Sequence, residues 1–540
     1  MKKNHLPWKF AGVETSLDAA DTSVCATSLA NVRDATQTFA GTEVLLIGIN
    51  GFVGKVVLGM LLDRFPGFRR LHILIRTRGE MGARERFEKQ VLASPALAQI
   101  ARRSSAALAE KVTLWAGDVA EPGCGLEPAA VETMRGRVGL IVNCAGLVEF
   151  TPPVDDSFRA NVDGVEQVIE LATRLDARLV HVSTCFVCGE ADGLVEETDP
   201  IPGFYPRRRG PSDHSFRHEE EIRYMRERIR EAYAAEPTAT PRARSRQLAQ
   251  KLADLGEQRA AHWGWVNTYT YSKSLGEQLI AAAPGLRYTI VRPAIVEAAL
   301  EFPFPGWVEG GRTAAPLVIM AMSGLRHWPI RPEAPLEVVP VDQVAAAILA
   351  AGVLLLNDRH LPVYQLGTAD ANPVALGRLV RLMYAESRRV PGNRGVFRLP
   401  WPRGVRILSR EKARRRRERI YRRFAGLQLL MVILRRLVQK AGLPGRRPLA
   451  SLAVSLRVIG LQLQLREQTL DLYQPFVYDN RFLFEAENIR ASRALLSVED
   501  RRLLPWTPER IDWNRYWIEQ EVRGILRWVQ PEAAAGTIRS

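Results

Sequence analysis

The chain has 540 residues, of which 46% are apolar and 25% charged, and a formal net charge of +16. That length leaves room for two or more domains, and that composition excludes a disordered or fibrous chain. Residues 403–423 hold eleven Arg and Lys against two Glu, so the basic excess belongs to one local surface and not to a general nucleic-acid binder.

Residues 1–40 lack clear periodicity and read as a polar extension. Its start, Met1 to Trp8, is basic but has no apolar core behind it, so no secretory signal is expected. The apolar run Glu43 to Ile47 reads as a buried parallel strand. Phe52 to Arg64 reads as a helix, with apolar residues at 52, 53, 56, 57, 58, 61 and 62. Glycines at 48, 51 and 54 join the two. A strand feeding a helix through a glycine-rich turn is a pyrophosphate cradle. Gly48 allows the tight turn, Gly51 lets backbone approach the phosphates, and Gly54 lets the helix pack closely. The helix N-terminus supplies N–H groups and the positive end of a dipole. Candidate cofactor contacts here are Gly48, Asn50, Gly51, Phe52, Val53 and Gly54.

A second strand, Leu71 to Arg76, closes the βαβ unit. An enzyme using NAD commonly carries an acidic residue near this strand end, to hold the ribose 2′-hydroxyl. This chain has Arg76 and Arg78 instead. A guanidinium fork suits a 2′-phosphate, so NADPH is the expected cofactor. A charged helix is expected near 83–93. A strand from Val112 then leads to Asp118 and Val119, suited to the adenine edge. Leu140 to Gly146 is another buried strand, and its small end residues, Ala145 among them, let the cofactor cross the sheet's carboxyl edge. A helix near 157–174 contains Asn161, and the strand from Arg178 ends at Ser183 and Thr184. This alternation of strand and helix predicts an α/β fold with a doubly wound parallel Rossmann-type sheet.

Cys185 and Cys188 have CxxC spacing but no partner pair or neighbouring histidines, so they read as packing and no metal is expected. Five cysteines in so long a chain fit a reducing cytoplasm. Residues 205–262 break the rhythm with two charged, helix-like segments at about 214–234 and 241–261. They read as a helical insertion over the site. Asn267 then opens a strong helix in which Tyr269 and Lys273 are four residues apart and share a face, while Tyr271 points elsewhere. A lysine beside a phenol lowers its pKa. After the strand Tyr288 to Pro293, the loop 303–307 and the segment Val338 to Asp342, the Rossmann-like part ends near Asn372. The domains expected are therefore 1–40, 41–375 and a mostly helical 376–540 with aromatic-rich segments at 473–484 and 506–528.

No run of 18 or more apolar residues occurs, so no membrane-spanning helix is expected. The basic segment 403–423 runs into an apolar stretch from Phe424 to Val438. Three readings stay open for it: a core helix with a solvated arginine face, an amphipathic element lying in a membrane interface through 403–440, or arginines that meet the phosphates of coenzyme A.

Thr184 (or its neighbour Ser183), Tyr269 and Lys273 converge on the carboxyl edge of one sheet, opposite the glycine cradle. Hydride delivery to a carbonyl creates an oxyanion that needs a proton. Tyr269 suits a general acid, Thr184 a second donor to the same oxygen, and Lys273 a group that tunes Tyr269 and holds the nicotinamide ribose. These three are the candidate catalytic residues, and Tyr269 and Lys273 are also counted among the cofactor contacts.

At this point the chain resembles the fatty acyl-CoA reductases of the extended short-chain dehydrogenase/reductase class. The likeness is carried by Gly48 to Lys55 with its GxxGxxG spacing, Leu74 to Arg76, His181 to Thr184, Asn267 to Glu277, Val291 to Pro293, Pro303 to Trp307 and Val339 to Asp342, and by Ile511 to Tyr516 in the tail. The absent span and the long insertion resemble the bacterial, alcohol-forming members. Ile47 stands where a threonine is usual, and Cys185 where alanine is common. The resemblance implies that NADPH reduces a long-chain fatty acyl-CoA to a fatty aldehyde and then to a primary alcohol, in lipid and wax ester metabolism. It also implies a cofactor contact at Pro293, no nucleic-acid partner, and a cytoplasmic location, peripheral at the inner membrane face if 403–440 meets lipid. A thioester reductase that stops at the aldehyde stays open. So does another enzyme of this fold, of nucleotide-sugar epimerase or hydroxysteroid dehydrogenase type. The intact Tyr/Lys pair speaks against a non-catalytic scaffold.

Overall fold

The computed structural model describes residues 34–77, 79–197, 201–210, 212–241, 243–311, 313–389, 404–440 and 446–530. Seven strands build the central sheet: β1 (Glu43–Ile47), β2 (Arg70–Ile75), β3 (Val112–Ala116), β4 (Val138–Asn143), β5 (Arg178–Val182), β6 (Tyr288–Pro293) and β7 (Val363–Leu366). All pair in parallel, in the order β3-β2-β1-β4-β5-β6-β7. The winding direction reverses between β1 and β4, which opens a crevice at the carboxyl ends of those strands.

All five residues of β1 are buried, as expected for a strand covered on both faces. Its side chains alternate between two cores. Val44 and Leu46 face one, Leu45 and Ile47 the other. On the first face lie helix α1 (Phe52–Arg64) and a helix that the sequence reading did not single out, running Val341–Leu356. The latter is buried continuously from Val341 to Leu355. A helix apolar on every side gives no stripe to read and belongs inside.

Two helices of the insertion, α2 (His218–Ala234) and α3 (Arg246–Trp263), precede α4 (Thr268–Ala282). Their few apolar residues, Ile222, Met225, Leu248 and Leu252, pack on Val154, Phe158, Tyr271 and Leu275. The insertion therefore backs α4 from behind and does not cover the crevice. Ser245 caps α3 by accepting from the Leu248 amide at 3.0 Å, and Gly264 closes it with φ of 98°.

The C-terminal part is mostly helical, but it also returns to the first core. Its strand Arg481–Phe484 pairs in parallel with Asp192–Val195, and Phe482, Phe484 and Trp506 are buried in the same core as α1. Trp513, Tyr516 and Trp517 fill a second cluster with the helix Ala315–Met322. That accounts for both aromatic-rich segments. Two long helices, α5 (Arg410–Lys440) and α6 (Arg446–Gln474), pack on each other. Among the described residues no helix is long and apolar enough to cross a membrane.

One helix lies inside the segment read as a polar extension. Ala35–Gly41 is capped by Asp34, which accepts from the Gln37 amide at 2.7 Å. Phe39 packs on Phe65 with ring centroids 4.9 Å apart.

Backbone packs closely where α1 meets the turn after β1. A Cβ at Gly54 would lie 2.4 Å from the Gly48 carbonyl oxygen, whereas one at Gly67 would meet nothing. Gly54→Ala is expected to lower stability by about 1–3 kcal/mol and to weaken dinucleotide binding, while Gly67→Ala leaves the melting temperature unchanged. Thermal unfolding with and without cofactor checks both.

Candidate active site

The site begins where β1 ends. Gly48 has φ of 83°, and a Cβ there would lie 2.4 Å from the Ala145 amide nitrogen. The turn therefore lies flush against the exit of β4. Gly51 starts α1, and no side chain caps that start, so its N–H groups are available to an anion. Around the turn lies a cleft of about 450 Å³ lined by Gly48, Asn50, Gly51, Arg76, Asp118, Val119 and Ala145. The Asn50 amide nitrogen is buried without a hydrogen-bond partner. A glycine cradle with an orphaned donor at its rim fits a dinucleotide's phosphates and amide.

Arg76 lies at the far end of this cleft, its side chain 61% exposed and 3.8 Å from the Asp118 carboxylate. Arg159 reaches the same carboxylate at 3.6 Å, and the Ala120 amide donates to it at 3.1 Å. Asp118 thus restrains two guanidinium groups as well as edging the cleft. Arg86 also lines the cleft and donates to the Arg76 carbonyl. Arg86 and Arg159 were missed in the sequence, because arginines in charged helical segments carry no signal of their own. Arg78 lies outside the described residues.

Asn267 caps α4, accepting from the Thr270 amide at 2.9 Å. The cap fixes the first turn of that helix and so the direction of Tyr269. Thr184 follows β5, caps the short turn 185–188 by accepting from the Phe186 amide at 3.3 Å, and hydrogen-bonds the Tyr269 phenol. Burial pushes the phenol up to about 12, against a smaller lowering by Thr184. Tyr269 is therefore a protonated donor at neutral pH.

Lys273 is 3% exposed, and burial pushes its ammonium down to about 8. It donates to the Val182 carbonyl at 2.8 Å and lies 3.3 Å from His181 Nε2. The expected lowering of the phenol by Lys273 is not found. The ammonium is anchored to β5 below, and burial governs the phenol. His181 is held well below its ordinary value by burial and by Lys273. Asn161 accepts from the Leu147 amide at 2.9 Å and donates to Ser272 Oγ at 3.0 Å, tying the loop after β4 to α4.

Tyr271 faces the insertion. Its hydroxyl bonds Glu221 of α2, which Arg259 of α3 holds at 2.7 Å. Pro293 is buried at the end of β6, beside Leu366, and the lining of the neighbouring cavity starts at Ala294. Cys185 Sγ donates to the Arg292 carbonyl at 2.7 Å, and burial drives its thiol well above the ordinary value. A buried, neutral thiol is a poor nucleophile.

A second cavity, of about 600 Å³, adjoins this centre. One end is formed by Asn50, Gly51, Phe52, Val53, Gly54, Thr184 and Tyr269. The remaining wall is largely apolar and comes from distant parts of the chain: Phe150, Leu317, Met383, Leu470 and Phe476. Phe150 and Phe476 stack at 5.0 Å. Glu309 also lines this cavity and pairs with Lys55 of α1, which is 3% exposed. The far wall had no sequence signal beyond the aromatic richness of 473–484 and 506–528, which supply Tyr473, Phe476 and Trp517.

Residues 46–348 match the male sterility protein family. Over 511 residues the chain is 26% identical to the alcohol-forming fatty acyl-CoA reductase of Simmondsia chinensis, covering 90% of this chain and 97% of that one. It is also 26% identical over 501 residues to probable fatty acyl-CoA reductase 4 of Arabidopsis thaliana, again 90% and 97%. The reductase domain of a non-ribosomal peptide synthetase from Mycobacterium tuberculosis superposes with a TM-score of 0.51 at 17% identity, covering 96% of each chain. At that identity the likeness concerns the fold.

Lys273 supplies the test of this site's electrostatics. Its pKa is about 8 in the folded chain against an ordinary 10.5, so the unfolded chain holds the extra proton between those values. The burial penalty is full below pH 8 and vanishes above 10.5. Lys273→Met is expected to raise the melting temperature at pH 7, with a gain that shrinks between about pH 8 and 10.5. A difference independent of pH in unfolding curves contradicts it.

Proposed function

This chain belongs to the male sterility protein family, that of the fatty acyl-CoA reductases, and on that premise we propose that it reduces a long-chain fatty acyl-CoA with NADPH. The product is a primary alcohol, reached through the aldehyde, in lipid and wax ester metabolism. The observation that carries this reading is the largely apolar cavity whose one end is Thr184, Tyr269 and the glycine turn. An acyl chain of many carbons needs such a wall, and a sugar nucleotide does not.

Bound along the cleft, NADPH supplies the hydride. The turn Gly48–Gly54 and the start of α1 hold its pyrophosphate, with Asn50 donating to the cofactor. Arg76, with Arg159 beside it, meets the 2′-phosphate. The thioester carbonyl lies at the Tyr269 end of the cavity. As its carbon is reduced, Tyr269 gives its phenolic proton to the oxygen, and the Thr184 hydroxyl donates to the same atom. Held near 12, the phenol is protonated at neutral pH and has the proton to give. The resulting hemithioacetal returns its hydroxyl proton to sulfur and expels coenzyme A as the free thiol, leaving the aldehyde. Tyr269 regains a proton from solvent, and a second reduction by a second NADPH, with the same proton donor, gives the alcohol. Lys273, anchored to the Val182 carbonyl, would hold the nicotinamide ribose of the bound cofactor. No covalent enzyme intermediate is needed, in keeping with the inert Cys185.

Purified chain, palmitoyl-CoA and either NADPH or NADH test the reading. Two NADPH should be consumed per alcohol formed, with NADH used far less efficiently. Aldehyde accumulating at one NADPH each, or equal efficiency with both cofactors, contradicts it. Tyr269→Phe should lower kcat by about 10²–10⁴-fold with NADPH affinity kept. Tyr271→Phe should cost stability and little kcat, and the reverse ranking assigns the proton to the other tyrosine.

A further inference from the structure

Helix α5 carries a band of exposed apolar side chains. Leu429 is 62% exposed, Leu437 56%, Leu430 49% and Ile433 45%. Within 427–437, the buried apolar side chain is Met431, at 6%. With Leu427, Val432 and Leu434, which are 42%, 47% and 37% exposed, the exposed side chains spread over more than half of the helix circumference at about 100° per residue. On α6 the band continues, with Val454 64% exposed, Leu461 57% and Leu465 54%. The two helices are held together by Arg417 and Asp471 at 2.6 Å and by Phe424, whose ring lies where a Cβ on Gly460 would come within 2.7 Å. The exposed band is thus a feature of a packed helix pair.

At the root of the pair the charge is strongly positive. Arg414, Arg415 and Arg422 are 73%, 70% and 81% exposed. Between the root of α5 and the short strand pair His327–Trp328 and Arg406–Ile407 lies a pocket of about 450 Å³ lined by Arg406, Lys412, Arg415, Arg416, Arg419 and Arg423. Burial and the neighbouring Arg466, Arg419 and Arg406 push the Arg416 guanidinium below its ordinary value. So many like charges facing one pocket favour an anion there.

We propose that the α5–α6 pair is a membrane-docking element, which lies in the interface of an anionic lipid bilayer with its apolar band among acyl chains and its arginine root on headgroups. Three observations select lipid as the occupant. The eleven residues 427–437 extend about 16 Å, too short for the ~30 Å of hydrocarbon that a span requires, so the pair lies in the interface and does not cross it. The apolar surface wraps more than half of α5, whereas one facing helix of a second copy covers only a stripe. The arginine root would repel its own copy and attracts anionic headgroups. The end of α6 also joins this element to the apolar cavity, because Leu470 and Tyr473 line that cavity. A chain leaving a bilayer thus has an apolar wall to follow.

Flotation of the full chain tests this with vesicles of equal parts phosphatidylcholine and phosphatidylglycerol, and with phosphatidylcholine alone. The chain should float with the anionic vesicles at low salt, less at high salt, and poorly with phosphatidylcholine alone. Leu430→Glu combined with Ile433→Glu and Leu461→Glu alters exposed positions, so the melting temperature should hold while flotation is lost. Arg422→Gln and Arg423→Gln should weaken partition roughly fivefold for each arginine removed. A chain that stays at the bottom with anionic vesicles at low salt overturns the proposal, as does a Glu variant that floats like the parent. A lipid-free dimer that the Glu variant turns into monomer assigns the band to a second copy instead. Arginine variants that raise KM for acyl-CoA without lipid, with flotation unchanged, assign the root to coenzyme A phosphates.

Discussion

Three backbone segments meet at the end of β1 with no room for a side chain between them. The Gly48 turn presses on Ala145 beyond β4, and α1 presses back on the turn through Gly54. Everything functional depends on that contact. It brings the helix start and the carboxyl end of β4 to one place, so the cleft has a floor of backbone. It also sets the direction of α1, whose buried face then seats the fully buried helix Val341–Leu356.

Helix α4 converts this frame into a site. Its two tyrosines divide the labour by direction. Tyr269 meets Thr184 and the apolar cavity, while Tyr271 is held by Glu221 in the insertion. The insertion therefore acts as a brace. Its ion pairs and few apolar contacts fix the back of α4, so the front presents Tyr269 in one orientation. Beneath it, Lys273 is buried at a cost, because burial lowers its pKa to about 8. A buried charge that stability alone does not favour is the kind of feature kept for chemistry.

Much of this was legible in the sequence. The bounds of β1, α1 and β6 agree with the apolar runs and glycines that mark them. Gly48, Asn50, Gly51, Arg76, Asp118, Val119 and Ala145 line the cleft, and Gly54, Thr184 and Tyr269 line the cavity beside it. What was missed depends on distant partners. The helix Ala35–Gly41 is held by Phe65 and by Asp500, whose carboxylate accepts from the Ala35 amide at 3.0 Å. The i,i+4 spacing placed Tyr269 and Lys273 on one face, but not the ammonium's partner Val182, 91 residues away. The apolar wall draws on residues from Phe150 to Trp517, which no local pattern connects. The sequence favoured a core helix with a solvated arginine face for 424–438, and the exposure of Leu429 and Leu437 speaks against it.

The central claim is that the apolar cavity seats the acyl chain against Tyr269. Leu317, half-buried in the cavity wall, gives the most direct test. Steady-state kinetics of Leu317→Trp with palmitoyl-CoA and butyryl-CoA should show kcat/KM falling roughly tenfold or more for the long chain. The short chain and NADPH affinity should change little. An equal fall for both substrates, or none for palmitoyl-CoA, contradicts the account.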